Sequence, residues 1–220
     1  MNRVHMVLGL ATVLVVYPAW ADEDISKVNG RIVAEAGRQY GDLDTVNGGI
    51  SIADGARTHD AQTVNGNISV GAQAQTGGLS TVNGSINVGA QAIVDGGIET
   101  VNGGVFVDRG GEVRGDLETV NGSIGLVRTR LKGGIETVSG DITVGVGSHL
   151  DGGITLRKPG FSLSFKPARK PRVVIGPGVV VDGKLVFERE VTLYVHRSAK
   201  IGPLSGASAR RFDSDVAPRD

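Results

Sequence analysis

The sequence contains no cysteine and few aromatic residues, and it has no net charge. Without cysteine there are no disulfides and no lipid attachment through an N-terminal cysteine, so packing alone must hold an exported form together. Phe, Trp and Tyr make up only 4% of the 220 residues. Basic and acidic residues number 23 each, so the composition predicts no nucleic-acid partner, and an anionic partner would need a local basic patch.

An apolar run long enough to span a membrane is also missing. The apolar stretch from Met6 to Val16 is shorter than the roughly 20 residues that a spanning helix needs. It follows a basic residue and precedes Ala19-Trp20-Ala21, which is typical of a secretory signal peptide cleaved after Ala21. We therefore predict a signal peptide over 1–21, no transmembrane segment after cleavage, and a periplasmic, cell-surface or secreted location.

The sequence is instead rich in glycine, with 35 residues, and in one repeated phrase. Thr-Val-Asn-Gly begins at residues 45, 63, 81, 100 and 119, with Lys-Val-Asn-Gly at 27 and Thr-Val-Ser-Gly at 137. The starts are 18 or 19 residues apart, a period typical of stacked coils. We predict that 22–206 form one all-β domain: a three-sided, single-stranded parallel β-helix (β-solenoid) of 18–19-residue coils, right-handed.

Alternation within one repeat predicts which residues face the core. In the coil that begins at Thr81, alternate positions hold Val82, Gly84, Ile86 and Val88, so we place them inside and Thr and Asn outside. A second apolar ladder, two residues before each Thr, breaks the alternation and predicts a corner at or near the Thr. This ladder contains Leu43, Leu79, Ile98, Leu117 and Ile135. A third wall uses Ala56, Ala74, Ala92, Val94 and Val113.

The repeat loses its register toward the C-terminus. Regular coils are predicted over about 27–155, followed by a basic, proline-bearing loop between coils at about 157–172. Strand-like sequence at about 173–206 predicts divergent capping coils. The remaining residues, 207–220, are predicted to form a disordered tail.

Two segments carry a resemblance to known families. Val-Asn-Gly-Ser-Ile-Asn-Val at 82–88 and Val-Asp-Gly-Lys-Leu at 181–185, with the Ile-Gly-Pro turns, resemble the Val-x-Gly-x-Ile repeat of bactofilins. Those are bacterial polymer-forming cytoskeletal proteins with a β-helical core. The Thr-Val-Asn-Gly-Ser-Ile phrase is also similar to a bacterial β-strand repeat family of unknown function that carries an adhesin label. The resemblance implies self-association through coil ends, or a surface or periplasmic binding or structural role; predicted export departs from the cytoplasmic location of bactofilins.

Two rows of polar side chains are candidate ligand or assembly surfaces. Stacked Thr and Asn resemble the threonine arrays of ice-binding solenoids and can also contact a glycan, although Asn-Gly turns and the strand preference of Thr explain them structurally. Stacked Glu side chains, about 4.8 Å apart, place carboxylates two steps apart at the spacing of inverting glycosidases. No cleft or aromatic platform for a sugar is recognisable, so a solvated edge row is the favoured explanation. The residues are Thr63, Asn65, Thr81, Asn83, Thr100, Asn102, Thr119, Asn121, Glu99, Glu118 and Glu136.

The basic loop is a candidate contact for an anionic partner such as an envelope polysaccharide, or a solvated hairpin. Its cations are Arg157, Lys158, Lys166, Arg169, Lys170 and Arg172, which surround Phe161 and Phe165. The histidines at 59, 149 and 196 have unrelated contexts and are interpreted as surface residues. No metal-ligand spacing or catalytic motif is recognisable, so we predict no catalytic, cofactor-binding or metal-binding residues.

Together these observations predict a non-enzymatic, exported β-solenoid that is a structural, self-assembling or adhesive module of the bacterial cell envelope. Two alternatives remain open. One is a carbohydrate-active β-helix enzyme that uses the acidic row, and the other is an ice- or glycan-binding Thr/Asn face.

Overall fold

The protein folds as a β-solenoid in which successive coils contribute strands to three parallel sheets. The structure, a computed structural model, describes residues 23–159 and 169–218. The predicted signal peptide at 1–21, and Lys166, Phe161 and Phe165 of the basic loop, lie outside these residues. Within the described ranges the strands are parallel and no helix is present, which confirms the predicted all-β, three-sided β-helix. Accordingly, none of these residues belongs to a helix that could span a membrane.

Sheet A contains ten strands, most of them five residues long. They are β1 (Ile25–Asn29), β3 (Leu43–Asn47), β5 (Ala61–Asn65), β8 (Leu79–Asn83), β11 (Ile98–Asn102), β14 (Leu117–Asn121), β17 (Ile135–Ser139), β20 (Ile154–Leu156), β23 (Leu185–Phe187) and β26 (Leu204–Ser205).

Sheet B also contains ten strands. They are β2 (Ile32–Ala34), β4 (Ile50–Ile52), β6 (Ile68–Val70), β9 (Ile86–Val88), β12 (Val105–Val107), β15 (Ile124–Leu126), β18 (Ile142–Val144), β21 (Arg172–Ile175), β24 (Thr192–His196) and β27 (Ala209–Phe212).

Sheet C is the narrowest, with seven strands of two residues. They are β7 (Gln75–Thr76), β10 (Ile93–Val94), β13 (Glu112–Val113), β16 (Arg130–Leu131), β19 (His149–Leu150), β22 (Val180–Val181) and β25 (Lys200–Ile201).

The core is a line of aliphatic side chains along the solenoid axis. In one coil it is formed by Leu79 from sheet A, Ile86 and Val88 from sheet B, and Ala92 and Val94 at sheet C, each at most 1% exposed. The ladder of Leu and Ile before each Thr and the Ala/Val third wall are therefore confirmed as core. Each coil buries its side chains against both neighbours, so stability depends on the stack.

The predicted orientation of the repeat's Thr and Val is wrong. Thr81 is 2% exposed and Val82 is 40% exposed, and the neighbouring coils repeat this arrangement. The inward alternation from Leu79 continues through Thr81, and the corner lies three residues later, at Gly84. A Cβ on Gly84 would collide with the Gly66 carbonyl oxygen of the preceding coil, so the corner requires glycine.

The sheets continue beyond the predicted limits at the C-terminus. Residues 157–171 connect β20 of sheet A to β21 of sheet B. The basic loop, which is an insertion relative to the regular repeat, therefore interrupts one coil at a corner and does not separate two coils, contrary to the prediction. The prediction of a disordered tail from residue 207 is wrong for Ala209–Phe212, which pair with β24. Phe212 is the reason, because it packs with Val174 and Tyr194 in a small apolar cluster on sheet B.

The first and last coils each have a cation at a position where the adjacent inner coil has a buried, inward-facing side chain. Lys27 pairs in register with Thr45, and Arg211 pairs with Val195. Both cations are exposed, and they donate hydrogen bonds to backbone oxygens of Arg31 and His196, respectively. Charged residues at the end coils disfavour the addition of another coil.

Candidate functional site

The outer face of sheet A carries three parallel rows of recurring side chains, and we call it the valine face. Its central row is the exposed valine of each repeat, Val28, Val46, Val64, Val82, Val101 and Val120, with exposures from 39% to 68%. On one side runs a polar row of Ser26, Asp44, Gln62, Ser80, Glu99, Glu118 and Glu136, paired in register between neighbouring strands. On the other side runs a row of asparagines.

The asparagines form a hydrogen-bonded ladder. Each Nδ2 donates to the Oδ1 of the asparagine in the preceding coil, at 2.9 to 3.1 Å, from Asn121 back to Asn29. Asn65, Asn83, Asn102 and Asn121 therefore lie outside, as predicted. Their amides mainly bind one another, which makes the ladder a stabilising element of the stack.

The threonines of the repeat do not belong to this surface. Thr63, Thr81, Thr100 and Thr119 are 2% to 5% exposed, and each hydroxyl donates to a glycine carbonyl of the preceding coil. The prediction of an exposed Thr/Asn face is therefore wrong for the threonines, which lie inside the solenoid. A threonine array that contacts ice or glycan therefore has no structural basis here.

A shallow groove of about 450 Å³ follows the valine face in the N-terminal coils. Val28, Val46, Val64 and Val82 line it on one side, and Ser26, Asp44, Gln62 and Ser80 line it on the other. Hydrophobic and polar rows thus meet along a straight channel that spans four coils.

The acidic row has the predicted register. Glu99, Glu118 and Glu136 are direct neighbours in β11, β14 and β17. Partial burial, followed by the negative charges of Glu136 and Glu99, raises the pKa of Glu118 above its ordinary value. Arg157 forms a two-pronged ion pair with Glu136, with Nη2 at 2.9 Å from Oε2. The row lies on an open sheet surface beside the valines.

Three of the described cations of the basic loop, Arg157, Arg169 and Lys170, form ion pairs with acidic side chains of neighbouring coils. Besides the Arg157–Glu136 pair, Arg169 bonds Asp141 at 2.8 Å and Lys170 lies 2.7 Å from Glu190. The Lys158 backbone donates to Glu188, and the Arg172 backbone donates to Asp141. The three ion pairs compete with an anionic polymer for the charges of Arg157, Arg169 and Lys170, and an anionic partner for this segment stays a prediction.

Sheet C brings together a cluster that sequence reasoning missed. His149, Asp151 and Asp182 each offer one ligand atom, and these atoms lie within 4.8 Å of one another. Asp182 follows Asp151 by more than one repeat because the basic insertion lengthens that coil, so the regular period does not place them side by side. Aligning Leu150 with Val181 as equivalent inward residues would have revealed the juxtaposition.

Comparison of this chain with known protein families, with curated proteins and with solved structures found no match. The β-solenoid fold agrees with the β-helical core implied by the resemblance to bactofilins, and its strands agree with the resemblance to the adhesin-labelled β-strand repeat family. Membership of either family has no further support.

Proposed function

We propose that this chain is an exported, non-enzymatic β-solenoid that serves as a structural module of the bacterial cell envelope and self-assembles laterally through its valine face. The observation that carries the proposal is the unbroken row of six exposed valines, one per coil. Contiguous exposed apolar surface on a soluble protein marks an interaction site.

A second copy of the chain is the partner that fits this face best. The valines recur with the strand spacing of about 4.8 Å, and an identical face has the same period. Two such faces can interdigitate along their whole length, as identical rows do in stacked sheets. The balanced overall charge, with 23 basic and 23 acidic residues, sets up no general repulsion between copies.

Lateral assembly is favoured over assembly through the coil ends. Lys27 and Arg211 stand at the inward-type positions of the first and last coils. Stacking another copy on either end would bury a cation whose hydrogen bond to a backbone oxygen does not neutralise its charge, which is costly. The valine face requires no such burial at its centre.

Sedimentation velocity over a range of protein concentrations tests the proposal. We expect the wild type to form larger species as concentration rises, and the double variant Val82→Lys/Val101→Lys to remain monomeric. A matched control, Ser69→Lys/Asn87→Lys, adds the same charge to exposed positions on sheet B and should associate like the wild type. A wild type that stays monomeric at every concentration, or association that survives the valine substitutions, contradicts lateral assembly.

The carbohydrate-active alternative is favoured by one observation on the acidic row. Glu118 has a raised pKa and lies in register beside Glu136, and glycoside hydrolysis uses two carboxyl groups, of which the general acid has a raised pKa. A depolymerisation screen on envelope and plant polysaccharides decides this. Activity that disappears in Glu118→Gln supports an enzyme; no activity, or activity unchanged by the substitution, excludes this use of the row.

A further inference from the structure

Three potential metal ligands converge on the outer face of sheet C. His149 and Asp151 flank the buried Leu150, so both side chains point outward from the same coil. Leu150 pairs in register with Val181, which places Asp182 beside Asp151 in the next coil. The parallel ladder thus holds three side chains from two coils on one small patch.

Both carboxylates approach the same imidazole nitrogen. His149 Nε2 lies 2.7 Å from Asp182 Oδ2 and 3.5 Å from Asp151 Oδ1. A metal with ligand distances of about 2.0 to 2.2 Å holds neighbouring ligand atoms about 2.8 to 3.6 Å apart. The two separations from Nε2 are close to that range, and all three ligand atoms lie within 4.8 Å of one another, so small side-chain rotations suffice to bring them around one ion.

The donor set determines the class of ion. Imidazole nitrogen suits zinc, copper and nickel, whereas magnesium and calcium prefer sites made only of oxygen. We propose that His149, Asp151 and Asp182 form a surface site for a divalent late transition metal ion such as Zn²⁺ or Ni²⁺. Three protein ligands leave at least one coordination position for water or for a group from another molecule.

Arg130 supports the site from the preceding coil. Its Nη2 donates to both carboxylate oxygens of Asp151, each at 3.0 Å. A carboxylate has about four lone-pair sites, so Asp151 can accept from Arg130 and still ligate a metal. Hydrogen bonds of this kind orient metal ligands in proteins.

A purely electrostatic role for His149 is the competing explanation. The outer face of sheet C carries a ladder of ion pairs: Arg114 with Asp95 and Glu112, Lys132 with Glu112, and Arg130 with Asp151. A protonated His149 between Asp151 and Asp182 would simply extend it. Lysine at position 149 preserves a cation for the ladder but removes the nitrogen ligand, so His149→Lys separates the two explanations.

Isothermal titration calorimetry of the purified protein with ZnCl₂, and separately with NiCl₂, tests the site. We expect one ion per chain, and an affinity at least about tenfold lower in His149→Lys and in Asp182→Asn, in line with the effect of losing metal-site residues. His59→Gln and Asp95→Asn, which lie outside the cluster, should bind like the wild type.

Thermal unfolding supplies a second readout on the same proteins. Zn²⁺ should raise the Tm of the wild type and of both controls, because an ion bound only to the folded state stabilises it, and it should raise the Tm of His149→Lys by a smaller amount at the same Zn²⁺ concentration. His149→Lys should unfold near the wild-type temperature without metal, which shows that it is folded. No uptake at millimolar metal, or uptake that persists unchanged in both cluster variants, overturns the proposal.

Discussion

At the scale of single residues, the threonine of the repeat is a core residue whose hydroxyl group donates a hydrogen bond inside the stack. Thr81 Oγ1 donates to the Gly66 carbonyl at 3.0 Å, which satisfies a polar group inside an apolar stack. Thr137 occupies the same position and is 0% exposed, yet its Oγ1 has no hydrogen-bond partner within the described part of the chain. Such an unsatisfied buried group costs about 1 to 3 kcal/mol.

Valine in place of each of these threonines should therefore shift stability in opposite directions. We expect Thr137→Val to raise the free energy of unfolding, because it removes an unsatisfied hydroxyl while keeping the side-chain shape. Thr81→Val should lower it by about 0.5 to 1.5 kcal/mol, the net value of one hydrogen bond. Urea denaturation of both variants and the wild type measures the difference, and a destabilised Thr137→Val would show that its hydroxyl is satisfied in solution.

The raised pKa of Glu118 predicts a pH dependence with a definite sign. Burial and the charges of Glu136 and Glu99 make the ionised form unfavourable in the folded state, so the folded chain binds this proton more tightly than the unfolded chain. The stabilisation from protonation is present below the unfolded value of about 4.3 and is lost as pH rises through the folded pKa. Glu118→Gln should therefore melt at a higher temperature than the wild type at pH 7, and the gap should close below about pH 4.

Glu190→Gln is the matched control for that experiment. Its hydrogen bond to Lys170 lowers the pKa of Glu190, so this carboxylate stabilises the fold above the unfolded pKa and stops doing so in acid. The substitution should lower the Tm at pH 7, by a small amount because the pair is exposed. Equal pH profiles for both variants would contradict the assigned causes.

At the scale of the coil, the glycine corner decides how close successive backbones can pack. Gly84 stands directly over the Gly66 carbonyl, whereas Gly125, in the middle of β15, faces only the edge of the Phe106 ring. Gly84→Ala should destabilise the protein by at least about 1 to 3 kcal/mol, because backbone cannot move aside as a flexible side chain can. Gly125→Ala should change stability far less. Chemical denaturation of both variants compares them, and similar losses would mean that the corner is not the close contact.

The coil scale also shows what the sequence could predict. The 18–19-residue period identifies stacked coils, and apolar ladders such as Leu79 and Val94 identify three walls. Hydrophobicity alone misplaces the Thr-Val pair, because valine is the more apolar residue. What puts Thr81 inside is a hydrogen bond to a different coil and a corner set by the approach of two glycines, and both depend on the stack.

The cluster of His149, Asp151 and Asp182 escaped prediction for a related reason. Asp151 and Asp182 become neighbours only because the insertion at 157–171 leaves the register of sheet C intact. The insertion is identifiable by its prolines and cations, but its position within a coil is visible only from β20 and β21 belonging to different sheets. The repeat period does not show which residues pair on the two sides of an insertion, because that pairing depends on where the insertion leaves and rejoins the coil.

At the scale of the whole molecule, each outer face has a different character. Sheet A presents valines between polar rows, and sheet C presents alternating charges. Sheet B ends in the small cluster of Val174, Tyr194 and Phe212. Because both terminal coils carry cations, we propose the valine face as the surface through which copies associate, since that contact buries no charge at its centre.

Intermolecular spin-label distances test that claim most directly. Because the chain has no cysteine, a single introduced cysteine gives one labelling site, and Gln62→Cys lies beside the valines without replacing one. Asn87→Cys labels the outer face of sheet B as the control. At associating concentrations, we predict a short intermolecular distance from Gln62, set by the ~10 Å packing of two facing sheets, and a clearly longer one from Asn87. A short distance from Asn87 with none from Gln62, or no intermolecular distance at either site, would contradict assembly through the valine face.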